Sequence, residues 1–209
     1  MEKKVTDKKI VISQLAKIHS LEKRSSIKKS YAFSSKENIV GEKIYVKPNT
    51  YHEDLTKIVN SEKNHILLFD NSVISMHYCF DTKGRMTYHS LYYIPDIYDE
   101  EFFWRTNQSD NEMAYYDYVN AVIAKYLRID FDVEGYNEYN HSLVHMHMGL
   151  KSTDFRFPVY SYLYPNEFVY LILKYIYTDD DSKLKSIASF AKNNRIIKLT
   201  KTEKEKFFA

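Results

Sequence analysis

Two short stretches of strict polar–apolar alternation constrain this chain more than any other feature. In Leu127-Arg128-Ile129-Asp130-Phe131-Asp132, and from Val144 onward in Leu143-Val144-His145-Met146-His147-Met148, the character switches at every residue. Side chains alternate faces along a strand with period two, so each stretch reads as a half-buried β-strand. Leu127, Ile129 and Phe131 face one way, and Arg128, Asp130 and Asp132 the other. In the second stretch Val144, Met146 and Met148 form the expected core face, and His145 and His147 share the opposite one. A short loop between the two favours antiparallel pairing. Both apolar faces must meet the core, so the polar faces coincide. One Arg, two Asp and two His then share a patch, with His141 just upstream and Asp154 and Arg156 after the Gly149 turn.

The rest of the chain fits around this pair. Val11, Leu15, Ile18 and Leu21 recur at helical spacing in a Lys-rich segment, which predicts an amphipathic N-terminal helix with a basic outer face. Asn49 to Asp54 suggests a turn into a short helix through Asn60. His65 to Phe69, Val73 to Phe80 and Met86 to Ile94 read as strands, with a hairpin turn at Asp81-Thr82-Lys83-Gly84 and a stop at Pro95. Ser109-Asp110-Asn111-Glu112 is a capping box that opens a Tyr-rich helix. Tyr164-Pro165 starts another, with Phe168, Leu171, Ile172, Tyr175 and Ile176 as its buried face. Asp179-Asp180-Asp181 reads as a solvated helix-end loop, and a last helix follows from about Ser182 to Lys192. Hairpin-linked strands with segregated helices indicate an α+β fold, with an antiparallel sheet of about four to six strands and helices on one side. Residues 1–35 are taken as the basic helical segment and 36–209 as a single α+β domain.

Composition narrows the functional classes. The single Cys79 excludes an internal disulfide and a Cys-rich zinc site, and it suits a reducing compartment. No run of 18 apolar residues occurs and the N-terminus is charged, so the expected location is cytoplasmic, with no membrane partner. A net charge of +2 decides nothing about nucleic acid; only the local Lys clusters speak to it.

Charged Asp is seldom held on a strand without a reason, because its β-propensity is poor and its desolvation costly. Three reasons compete. The patch can be a divalent metal site, with His145, His147, Asp130 and Asp132 as ligands for Zn, Mn or Fe. It can be a metal-free nuclease or transferase site, with His145 and His147 as acid and base, Asp130 orienting them, and Arg128 and Arg156 holding phosphate. It can also be an Arg–Asp ladder on an exposed sheet face, with ordinary surface histidines. His77 and His89 on the earlier hairpin read as structural.

The run Leu127 to Asp132, His141, His145-Met146-His147-Met148-Gly149 and Phe155-Arg156-Phe157-Pro158 resembles the signature of a bacterial domain-of-unknown-function family, number twenty-two ninety. Tyr92-Tyr93-Ile94-Pro95 and Tyr164-Pro165-Asn166-Glu167-Phe168-Val169 also fit, so the resemblance covers about residues 65–178. More faintly, the Arg-x-Asp strand and clustered His resemble small toxins of toxin–antitoxin modules. The resemblance implies a bacterial protein in a defence or toxin–antitoxin setting, and no established activity. Two functions follow as expectations. One is a nuclease or phosphodiesterase on nucleic acid, RNA favoured, with non-specific affinity from the basic N-terminal helix. The other is a non-catalytic subunit of a defence complex that meets a partner protein of the same operon, through aromatics such as Phe102, Phe103 and Trp104.

Overall fold

The computed structural model describes residues 6–22, 25–96, 121, 124–137, 141–150, 156–159, 161–188 and 200–202. The helix expected from the Ser109 capping box, the Phe102–Trp104 loop and Asp154 lie outside these residues.

Among the described residues a nine-stranded antiparallel sheet organises the fold, larger than the four to six strands expected. The additional strands are short. They are β1 (Ile27–Ser30), the hairpin of β2 (Ser35–Lys36) and β3 (Ile39–Gly41), and β9 (Phe157–Pro158). Such segments carry too few residues for a readable period. The long strands fall where alternation places them: β4 (His65–Leu68), β5 (Val73–Phe80), β6 (Met86–Ile94), β7 (Leu127–Asp132) and β8 (Val144–Met148). The order is β1-β4-β5-β6-β7-β8-β9, and the outer edge of β5 is shared between β4 at its start and β3 at its end.

Helices α1 (Asp7–Ile18), α3 (Pro165–Tyr175) and α4 (Asp181–Ala188) cover one face. There Val11, Leu15, Ile18, Phe168, Ile172 and Leu184 meet Ile74, Met76, Leu91 and Ile129 of the strands in one buried cluster. Within the N-terminal segment, α1 fills the core and β1 pairs with β4. Helix α2 (Tyr51–Asn60) packs on the other face, where Tyr51 and Leu55 meet Leu67, Val73, Tyr92 and Ile94. Helices therefore flank both sides of the sheet.

Two burial expectations shift. On α3, Val169 and Leu173 are buried whereas Tyr175 is 74% exposed and Ile176 is exposed. The helix packs against α1 and α4 as well as the sheet, which widens its apolar stripe and turns the last residues outward. On β8, Met148 is 54% exposed while His145 and His147 are buried. Strand β9 pairs only as far as Met146, so the end of β8 projects beyond its neighbour.

The three consecutive aspartates have separate structural uses. Asp179 is buried and accepts from the Ser26 amide at 2.7 Å and the Ser26 hydroxyl at 3.0 Å. Asp180 accepts from the Ser182 amide at 2.7 Å, at the start of α4, and Asp181 pairs with Lys174 at 3.0 Å.

Candidate functional site

Strand register brings the polar residues together. Ser90 of β6 stands opposite Asp130 of β7, and Asp130 opposite His145 of β8. In the adjacent row Tyr92, Arg128 and His147 are paired in the same way. All six share the α2 side of the sheet, because the alternate residues Leu91 and Ile129 belong to the core beneath the three-helix layer. The sequence expectation that β7 and β8 pair antiparallel with coincident polar faces thus describes the observed register.

Asp130 is the hub. It is buried, and its Oδ1 accepts a hydrogen bond from the Ser90 hydroxyl. Its Oδ2 lies 2.8 Å from Arg128 Nε, 3.4 Å from His147 Nε2 and 3.6 Å from His145 Nε2. Burial alone would push this carboxyl up. The two facing imidazoles, the Arg128 charge and the Ser90 hydroxyl outweigh that and hold it well below the usual carboxylate range. Asp130 is therefore ionised at neutral pH.

The histidines differ in their surroundings. His145 Nδ1 lies 2.9 Å from the Ser142 carbonyl oxygen, which can only accept, so Nδ1 carries the proton of the neutral ring. Arg128 donates a guanidinium N–H to His147 Nε2 at 2.9 Å, so that nitrogen presents its lone pair. Burial pushes the His147 imidazole down. The His147 Nδ1 is buried and meets no hydrogen-bond partner among the described residues, so Arg128 alone sets the tautomer. His141 stacks edge-on against His145, with centroids 4.4 Å apart. Burial, then His145 and Arg156, favour its neutral form.

Ligand atoms of Asp130, His145 and His147 all lie within 4.8 Å of one another. Asp132 is not part of this trio. Its Oδ1 accepts the amides of Glu134 at 3.1 Å and Gly135 at 2.9 Å, which ties it into the turn after β7. Arg156 immediately precedes β9, outside the trio, and its charge acts on His141.

The cluster opens into a cavity of about 200 Å³, lined by Lys43, Tyr45, Tyr88, Ser90, Tyr92, Arg128, Asp130, Asp132, His141 and His145. Lys43 and Tyr45 had no sequence signal. They arrive because β3 ends at Gly41, whose φ of +77° turns the chain across this face toward α2. Lys43 Nζ lies 5.1 Å from the Tyr88 ring centroid and 5.7 Å from that of Tyr45, which is 70% exposed. Ser90, Tyr88 and Tyr92 were legible as one face of β6, but not as neighbours of β7.

Neither earlier histidine joins the trio. His89 is fully buried on the helical side, where its Nε2 accepts the Leu163 amide at 3.1 Å, and burial pushes its imidazole down to about 3. His77 lies 3.4 Å from Cys79 Sγ and edge-on to Tyr88.

The fold and site define an α+β protein with a carboxylate and two imidazoles converging beside a cavity lined by aromatic rings, two cations and two carboxylates. A family model described as an uncharacterised conserved protein (DUF2290) matches residues 14–208, and the chain belongs to that family. No curated protein matches it, and no solved structure matches it. No helix among the described residues is long and apolar enough to cross a membrane.

Proposed function

We propose that this protein is a phosphodiesterase acting on nucleic acid, with single-stranded RNA as the favoured substrate and the Asp130 cavity as its active site. The observation that carries the reading is the convergence of Asp130, His145 and His147 within 4.8 Å, with Asp130 and His145 lining a cavity that also holds Lys43 and Arg128. Phosphodiester cleavage needs a group to accept the nucleophile's proton, one to protonate the leaving oxygen, and positive charge on the non-bridging oxygens. The Asp130–His145–His147 cluster supplies the proton acceptor. His141, on the cavity wall and favoured neutral, suits taking that proton from the cluster and passing it to the leaving oxygen. Lys43 and Arg128 meet the phosphate, and Arg128 is suited to a forked contact. The exposed Tyr45 ring offers a stacking surface that an unpaired base can reach and a paired one cannot, which favours a single strand.

Specific affinity on this reading comes from the cavity and not from α1. No α1 residue lines the cavity, and α1 packs beneath the opposite face.

The test is cleavage of labelled single-stranded RNA and DNA by the purified chain, with divalent ions added and in EDTA. Cleavage that falls about 100-fold or more in His145→Ala and in Asp130→Asn supports the reading. Absence of cleavage under every condition overturns it and favours a binding module, in which the Arg128–Asp130–His147 network is a purely structural ion-pair cluster.

A further inference from the structure

We propose that Asp130 Oδ2, His145 Nε2 and His147 Nε2 hold one divalent transition-metal ion of the zinc class, with a fourth coordination position open to the cavity. The proposal deepens the phosphodiesterase reading by naming what the site binds, and it rests on that reading only for its catalytic use.

The first support is the chemistry of the three atoms. The Ser142 carbonyl accepts from His145 Nδ1, so Nε2 is the nitrogen turned to Asp130 and becomes the ligand atom once it releases its own proton to bind an ion. Arg128 donates to His147 Nε2, which therefore presents a lone pair. The Ser90 hydroxyl occupies Asp130 Oδ1, leaving Oδ2 to face both rings. Three potential ligand atoms thus converge in a buried place, where the Arg128 guanidinium compensates the charge when no ion is bound.

The second support is distance. Two ligands about 2.1 Å from a zinc ion at the tetrahedral angle stand about 3.4 Å apart. The carboxylate oxygen lies 3.4 Å from one imidazole nitrogen and 3.6 Å from the other. A protonated histidine donating to a carboxylate comes closer, to about 2.7–2.9 Å. Two of the three ligand pairs thus stand near the spacing that a common tetrahedral ion sets, and the third lies within 4.8 Å.

The third support is the outer ring of contacts. Metal-bound imidazoles are oriented through the other ring nitrogen, often by a carbonyl, and metal-bound carboxylates by a donor on the second oxygen. Ser142 and Ser90 stand in these two positions. Two nitrogens and one oxygen, with no sulfur, suit zinc and its first-row neighbours over calcium or magnesium. Asp132 is not among the residues whose ligand atoms converge, and turn amides hold its Oδ1.

Arg128 sets the sharpest expectation. Its guanidinium lies against Asp130 Oδ2 and His147 Nε2, two of the three ligand atoms, so it competes with the ion for their lone pairs. Removing it must then strengthen metal binding.

The experiment uses the full chain, stripped with chelator, then loaded with Zn²⁺ or Co²⁺ and desalted. Metal content is read by mass spectrometry and Co²⁺ coordination by its visible d–d absorption. One equivalent per chain in the wild type, lost in the double variant His145→Ala, His147→Ala, together with a severalfold tighter Zn²⁺ affinity in Arg128→Ala, is the expected result. Circular dichroism verifies that each variant is folded, and Arg128→Ala retains every proposed ligand should the double variant fail to fold. Less than a tenth of an equivalent in both wild type and Arg128→Ala, or weaker binding in Arg128→Ala, overturns the proposal. The two readings fail separately. RNA cleavage that persists in EDTA removes the metal and leaves the phosphodiesterase; stoichiometric metal without cleavage leaves the metal and removes the phosphodiesterase.

Discussion

At the scale of single residues, histidines of the same type serve opposite ends. His89 and His145 both lie buried, on β6 and β8 to either side of β7, but they point to opposite faces of the sheet. His89 accepts one backbone amide among apolar rings, and its burial makes it a source of pH dependence. Its folded-state pKa is about 3, against about 6.5 for an unfolded chain. The native state binds fewer protons, so the stability this group contributes is complete above about pH 6.5 and is lost as pH falls toward 3. Between pH 7 and pH 5 the loss is about 2 kcal/mol. Burial shifts His65 and His77 in the same direction. Urea unfolding at the two pH values is expected to show that loss in the wild type and a smaller one in His89→Gln. A variant with the full wild-type pH dependence would show that His89 is not its source.

At the scale of elements, the site depends on where β3 stops. Gly41 has a positive φ, and a Cβ built on it would lie 1.9 Å from the Met76 carbonyl oxygen of β5. Neither atom can move away, because both belong to the paired backbone of β3 and β5. Gly41→Ala is therefore expected to cost at least about 2 kcal/mol in thermal or urea unfolding, from backbone strain plus the clash. The same change displaces the segment carrying Lys43 and Tyr45, so RNA affinity should fall with it. An alanine variant of wild-type stability would show that the turn at Gly41 tolerates another path.

The whole molecule separates its basic surfaces. Lysines of α1 lie on the helical side, whereas Lys43 and Arg128 line the cavity. If RNA binds at the cavity, Lys43→Ala weakens affinity about tenfold and lowers the salt slope by about one. Lys9→Ala and Lys17→Ala together then change affinity by less than about twofold. The reverse ranking in filter-binding titrations at several salt concentrations would place the nucleic acid on α1 instead.

Alternation over Leu127–Asp132 and Leu143–Met148 was enough to pair β7 with β8 and to assemble Arg128, Asp130, His145 and His147, because a period of two leaves no other way to bury both apolar faces. The α1 core stripe at Val11, Leu15 and Ile18 was legible for a similar reason, since helical spacing marks the buried face wherever the helix packs. Other features were settled only by the tertiary structure. Ser90 reaches Asp130 through the β6–β7 register across a long connection, and sequence carries no rule for such a register. Lys43 and Tyr45 come to the cavity because β3 and β4 share one edge of β5. Local periodicity reports which side of an element is buried. Long-range pairing decides which other element lies there, and that depends on the packing of the whole sheet.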